Sequence, residues 1–170
     1  MKPPRFEYVA PRSEEDALAL LGEYRDRAKL LAGGQSLIPL MNFRLAQPEI
    51  VVDLNRIASL AYVRGGDGGV TIGALTRQHV LERDAGVVGR FPMLAEACRL
   101  IGHLPIRHRG TVGGNLAHAD PASELPAAMV ALGAEMVAAS RQGRRTVAAD
   151  QFFAGPFTTT LRADELLEEI

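Results

Sequence analysis

Two apolar stretches of this chain each run into a pair of adjacent glycines. Lys29-Leu30-Leu31-Ala32 meets Gly33-Gly34, and Thr111-Val112 meets Gly113-Gly114. Paired glycines remove two consecutive Cβ atoms, so the backbone there can turn sharply or lie directly against a ligand. Polar residues close both motifs, Gln35-Ser36 in the first and Asn115 in the second. Each motif is expected to expose successive backbone N–H groups beside a directional hydroxyl or amide, a nest suited to phosphate or pyrophosphate. Neither Ala32-Gly33-Gly34-Gln35-Ser36 nor Thr111-Val112-Gly113-Gly114-Asn115 contains lysine, so phosphate charge would be met by amide dipoles, which argues against phosphoryl transfer. The P-loop pattern and the Gly-x-Gly-x-x-Gly turn are both absent, and any nucleotide would sit in a different fold. One glycine pair alone is more often a plain tight turn. Two with the same make-up favour a bound anion, and leave the ligand unnamed.

Local signals organise the rest. An extended entry segment around Phe6, Tyr8 and Val9 precedes Ser13, a candidate N-cap for a helix from about Glu14 to Arg27 with Ala17, Leu20, Leu21, Tyr24 and Ala28 on its apolar face. Residues 29–32 read as a buried strand, 37–45 as a short helix and 49–54 as a strand. Tyr62-Val63 should pair with Val70-Thr71-Ile72 across the turn 65–69. Thr76 is the expected cap of a helix through Val80 and Leu81. Phe91, Leu94, Ala95, Cys98 and Ile101 share one helical face, which makes Cys98 a core residue. His103 to Arg109 reads as a basic loop, Asp120-Pro121 as a helix start running to Gly133, and 135–147 as a hairpin turning at Gln142-Gly143. Residues 164–170 alternate as if a strand were beginning. The expected domain is one compact unit of class α+β, with a first lobe over about 1–55 and a second over about 56–170.

Composition excludes several functions. With 170 residues, 47% of them apolar, the chain can build one substantial core or two small lobes around a ligand. Its 19 basic and 20 acidic residues cancel, so no global field draws it to nucleic acid or to an anionic membrane. Aromatics are only 5%, too few for a base-stacking platform. A lone cysteine cannot form an internal disulfide or an iron-sulfur site, which suits a reducing compartment. No signal peptide or integral membrane segment is read, and the expected location is cytoplasmic.

The stretch Pro3-Pro4-Arg5-Phe6-Glu7-Tyr8, then Ala32-Gly33-Gly34-Gln35-Ser36-Leu37-Ile38-Pro39, then Arg109 to Leu116 with Ala119-Asp120-Pro121-Ala122-Ser123-Glu124, closely resembles the FAD-binding medium subunit of the carbon monoxide dehydrogenase and xanthine oxidase family of molybdenum hydroxylases. The resemblance implies a two-lobed FAD domain of the p-cresol methylhydroxylase or vanillyl-alcohol oxidase type, with FAD between the lobes. It implies that Ala32, Gly33, Gly34, Gln35, Ser36, Leu37, Ile38 and Pro39, together with Thr111, Val112, Gly113, Gly114 and Asn115, enclose the pyrophosphate. Glu124 falls at the family's acidic position for the ribitol or adenosine portion, Leu161 at the flavin end and Ile101 beside the isoalloxazine ring. The implied function is electron transfer through FAD to an external acceptor, in a complex with a large molybdenum-cofactor subunit and a small iron-sulfur subunit. The family pattern also continues beyond residue 170 into a C-terminal domain, which the 170 residues lack. His108 and Gln35 depart from its commoner asparagine and, in some relatives, histidine.

No acid-base dyad is expected, because flavin itself carries the redox chemistry. The four histidines, His79, His103, His108 and His118, fit no standard metal-ligand spacing. Arg107 and Arg109 are expected in solvent, where they could dock an acidic iron-sulfur partner. Two rival functions are a cofactor-free scaffold or remnant, and a self-sufficient FAD oxidase of the same fold.

Overall fold

The computed structural model describes residues 1–66 and 68–170, so Asp67 of the expected 65–69 turn lies outside the described residues. Strand β1 (Glu7–Val9) leads to helix α1 (Glu14–Tyr24), where Ser13 Oγ accepts the Asp16 N–H at 3.1 Å and Glu14, Glu15 and Asp16 fill the first turn. A side-chain cap and early acidic residues both favour that helix end. α1 stops three residues before the expected Arg27, because Arg25 takes φ +45° and a 3-10 turn follows. Ala28 consequently leaves the helix face and opens strand β2 (Ala28–Leu31). β2 is only partly buried, in contrast to expectation, because it lies at the sheet edge.

Helix α2 (Leu37–Asn42) and strand β3 (Ile50–Asp53) follow. β3 lies between β1 and β2 and is parallel to both, with Ile50 opposite Glu7 and Ala28. Its Ile50, Val51 and Val52 are at most 1% exposed, so both faces are covered, which explains the uninterrupted apolar run. α1 packs on this sheet, and Ala17, Leu18 and Leu21 join Ile50, Val52 and Leu54 in one core cluster. Ile57, Leu60, Leu75, Ala139 and Leu166 complete that cluster from later parts of the chain.

The expected hairpin forms from β4 (Val63–Gly65) and β5 (Val70–Ile72), with Val63 opposite Ile72, and Gly65 lies in the first strand rather than in the turn. Then come α3 (Gln78–Leu81), α4 (Ala85–Arg90), α5 (Pro92–Leu100), α6 (Leu104–Arg109), α7 (Val112–His118) and α8 (Glu124–Ala131). Thr76 does not cap α3. It is buried, donating to Tyr62 O and accepting from Tyr62 N, so it pins the hairpin instead. α4 was not expected, since Gly86 and Gly89 mask it; Asp84 Oδ1 caps it through Val87 N at 3.0 Å. The expected loop 103–109 is largely α6, started by Pro105 in its first turn. α8 begins at Glu124, later than expected, because Asp120 closes a local turn onto Ala122 N.

The chain closes with β6 (Glu135–Ser140), β7 (Gly143–Ala148), α9 (Ala149–Phe152), β8 (Phe153–Gly155), β9 (Thr158–Thr159) and β10 (Leu166–Glu169). The 135–148 hairpin stands as read, with β10 antiparallel on its far side. β10 also meets the first hairpin, because Ile72 and Ile170 exchange both backbone hydrogen bonds, at 2.8 and 2.9 Å. Helices α3, α5, α7 and α8 cover this second sheet through Leu81, Leu94, Cys98, Leu116, Leu125 and Met129, all at most 2% exposed. Cys98 is sealed there as expected, and burial pushes its thiol up to about 12.

Candidate functional site

The first glycine motif connects β2 to α2 at the carboxyl end of a parallel strand, where ligands of open α/β sheets characteristically bind. Gly34 takes φ +72°, and Gln35 folds back so that its Nε2 donates to Gly33 O at 3.1 Å. The backbone N–H groups of Gly33, Gly34, Gln35, Ser36 and Leu37 have no acceptor among the described residues. All five of these residues line one cleft of about 800 Å³. A run of unpaired amides on a concave wall is the cradle expected from sequence.

The second motif is built differently, and the expectation of a second exposed nest is corrected. Gly113 and Gly114 are not in a loop but in the first turn of α7. Thr111 Oγ1 accepts the Gly114 N–H at 3.1 Å, Val112 N donates to Thr76 O at 2.9 Å, and Gly113 N donates to Ala74 O at 2.8 Å. These amides are spent on structure. The glycines serve close approach instead: a Cβ on Gly113 would stand 2.4 Å from Ala74 Cβ, and one on Gly114 would reach Ala32 Cβ at 3.5 Å. The two motifs therefore pack against each other, and both line the cleft.

Of the residues expected to contact a ligand, Ala32 to Leu37, Ile101, Thr111, Gly113, Gly114, Asn115, Glu124 and Leu161 all line this cleft. Ile38 and Pro39 stand on the exposed side of α2, and Val112 is wholly buried in the core. Ile101, Ile106 and Leu161 supply apolar wall, and Asp120, Ser123 and Glu124 supply polar wall. Asn115 Oδ1 accepts the Ser123 hydroxyl at 2.8 Å, which ties α7 to the start of α8.

Behind the cleft a hydrogen-bonded chain joins the two motifs. Asn55 Nδ2 donates to Ala32 O at 2.8 Å, Arg77 Nη2 donates to Asn55 Oδ1 at 2.6 Å, and Arg77 Nη1 donates to Arg109 O. Burial, and then the nearby Arg109 charge, lower the Arg77 pKa. Sequence reasoning missed this clamp, since nothing local marks Arg77 as the partner of residues 22 and 32 positions away. Gln78 was missed as well. It is 3% exposed, lines the cleft, and its Oε1 is buried with no partner. An unpaired buried amide of this kind costs about 1–3 kcal/mol.

Arg107 is not the solvated docking residue expected. Its Nε donates to Glu82 Oε1 at 2.5 Å and its Nη1 donates to the carbonyls of Ile101 and Gly102 at 2.9 and 3.0 Å. The pair is largely buried, and it braces the cleft wall at Ile101. Arg109 does remain exposed. His79 and His108 stack at 4.0 Å between ring centroids. No group of three or more metal-ligating side chains occurs among the described residues.

A smaller cavity of about 330 Å³, lined by Asn55, Tyr62, Thr76, Arg77 and Asp84 among others, lies on the other side of the clamp. Its guanidinium is already engaged, and it contains neither glycine motif. Among the described residues no helix is long and apolar enough to cross a membrane.

Comparison with known proteins agrees with this geometry. Residues 4–170 match the family described as the FAD binding domain in molybdopterin dehydrogenase. The chain is 48% identical to the carbon monoxide dehydrogenase medium chain of Hydrogenophaga pseudoflava, over 100% of its own length and 59% of that protein's. It is 43% identical to the caffeine dehydrogenase subunit beta of Pseudomonas sp. (strain CBB1), over 100% of its length and 58% of that protein's. The solved carbon monoxide dehydrogenase from Hydrogenophaga pseudoflava lacking the Mo-pyranopterin moiety superposes with a TM-score of 0.97 over 99% of this chain and 59% of that one, at 48% identity. Quinoline 2-oxidoreductase from Pseudomonas putida 86 superposes at 0.96 with 38% identity, over 99% of this chain and 59% of that one. The chain thus spans just under three-fifths of the length of these relatives. From residue 4 to residue 170, this chain belongs to the FAD-binding domain family of the molybdopterin dehydrogenases.

Proposed function

We propose that the chain binds one FAD in the large cleft and serves as the flavin module of a molybdenum hydroxylase, passing electrons from an iron-sulfur partner subunit to an external acceptor. The observation that carries this reading is the row of five unpaired N–H groups from Gly33 to Leu37, set opposite Gly114. Such a row stabilises a diphosphate through oriented amide dipoles. Bound flavin supplies hydride and single-electron chemistry, and the protein supplies position, electrostatics and exclusion of solvent.

Within this reading the fold is of the p-cresol methylhydroxylase or vanillyl-alcohol oxidase type, with lobes over 1–55 and 56–170. The segment 32–37 lines the pyrophosphate, which the free amides of 33–37 hold. The segment 111–115 acts as the close-packed opposing wall. Glu124 meets the ribitol or adenosine hydroxyls, while Ile101 and Leu161 flank the flavin. A large molybdenum-cofactor subunit and a small iron-sulfur subunit are the partners, as the subunit names of the relatives suggest, and a cytoplasmic complex suits the sealed thiol of Cys98.

The test is an absorption spectrum and a calorimetric titration of the purified chain with and without added FAD. Visible flavin bands, or saturable binding of one equivalent, are expected. A colourless protein that takes up no FAD would favour the cofactor-free scaffold and overturn the reading. Reduction of oxygen by the isolated flavoprotein with a small substrate would favour a self-sufficient oxidase.

A further inference from the structure

We infer that Gln78 is a ligand-contacting residue of the cleft, whose carboxamide donates a hydrogen bond from Nε2 to an acceptor on the flavin-bearing half of the dinucleotide. This inference rests on the FAD reading above.

Gln78 opens α3 directly behind the crossing of the two glycine motifs. Its backbone N–H donates to Gly110 O at 3.0 Å, and its Oε1 lies 2.5 Å from the Cβ that Gly110 lacks. The side chain is thus pressed against the Gly110 backbone, with Oε1 sealed and unpaired. Nε2 has no acceptor among the described residues either, and it is the end with access to the cleft that Gln78 lines. A carboxamide whose Oε1 is sealed without a partner destabilises the fold relative to an apolar side chain of similar volume, which would fill the same space without penalty. Unsatisfied polarity aimed into a cleft is the form stored binding energy takes at ligand sites.

Position selects the half of the ligand. α3 packs on α5, whose C-cap is Ile101, and on α6, which carries Ile106, both in the apolar wall. The polar wall of Asp120, Ser123 and Glu124 belongs to the connection between α7 and α8. Gln78 therefore stands between the diphosphate cradle and the apolar wall, where it would meet the ribityl or ring portion of a bound FAD rather than the adenosine.

The experiment compares the wild-type chain with Gln78→Leu and Gln78→Met. FAD binding is followed by flavin fluorescence, binding of ADP by its displacement of FAD, and stability by thermal unfolding of cofactor-free protein. Both variants are expected to raise the Kd for FAD about tenfold, leave that for ADP unchanged, and keep or raise the cofactor-free unfolding midpoint. An unchanged FAD affinity overturns the inference. So does equal weakening of FAD and ADP, or a lowered cofactor-free midpoint, either of which marks a structural role. Failure of the wild-type chain to bind FAD sinks the functional reading itself, whereas wild-type binding with indifferent variants sinks only the role of Gln78.

Discussion

Gly33 and Gly110 meet backbone to backbone: a Cβ built on Gly33 would lie 2.7 Å from Gly110 Cα and 2.6 Å from the carbonyl oxygen of Arg109. Neither neighbour is the tip of a flexible side chain. The absence of a side chain at residue 33 is what lets β2 and α6 deliver their ends to one cleft.

Gly33→Ala is expected to force the two motifs apart and to destabilise the chain by about 1–3 kcal/mol, the usual cost of overpacking. Urea unfolding measures the loss, and an FAD titration of the folded variant should show at least tenfold weaker binding. Wild-type affinity in Gly33→Ala would show that the crossing is irrelevant to the ligand.

The clamp behind the cleft makes a second prediction. Arg77→Met removes the bonds to Asn55 Oδ1 and to Arg109 O and leaves both acceptors short of a charged donor. A loss of about 2–3 kcal/mol is expected. Asn55→Ala cuts the same chain at Ala32 O, so the double variant should lose less than the sum of the two single losses. Strict additivity would mean that the two residues do not act as one unit.

Arg107 and Glu82 test what a buried ion pair does here. Their side chains are 13% and 8% exposed, so removing either partner leaves a charge stranded, at a cost of about 3–5 kcal/mol. Replacing both by apolar residues is expected to be milder than either single change. Arg107→Glu should unfold the wall at Ile101 rather than merely weaken docking to a partner. A folded, stable Arg107→Glu protein would contradict the placement.

Glu165 provides a pH signature. The Arg145 side-chain hydrogen bond, at 2.7 Å, is the largest influence on it, and together with the Arg162 backbone N–H it holds the carboxyl below its ordinary value of 4.5 despite burial. A depressed carboxyl pKa means that the unfolded state binds more protons, so stability rises with pH through this range. The contribution is complete above about pH 4.5, the unfolded value, and is lost as pH falls through the folded one. Thermal midpoints from neutral pH into acid should drop less steeply in Glu165→Gln than in wild type. Identical slopes would remove Glu165 from the acid response.

Much of the fold was legible where one segment carries its own reason to fold. Ser13 caps α1 with its own side chain, the 50–53 run is apolar because both faces of β3 are covered, and the 135–148 hairpin has matched strands around Gly143. Cys98 was placed in the core by helical spacing alone. Local reading failed where a strong signal hid a tertiary role. Thr76 has the chemistry of a cap but bonds Tyr62, and Gly86 and Gly89 hide a helix that Asp84 nonetheless starts.

The candidate site divides along the same line. The order, spacing and lysine-free chemistry of the two glycine motifs are properties of the chain as written, and they point to a bound anion without naming it. Which motif keeps its amides free was decided only by folding, because the α7 amides found Thr76 O, Ala74 O and Thr111 Oγ1 while those of 33–37 found no acceptor. The same holds for Arg107, turned inward by Glu82 from 25 residues away, and for Gln78, stranded by the close approach of Gly110. A hydrogen-bonding group is defined by its neighbour, and a neighbour distant in sequence exists only once the chain has packed.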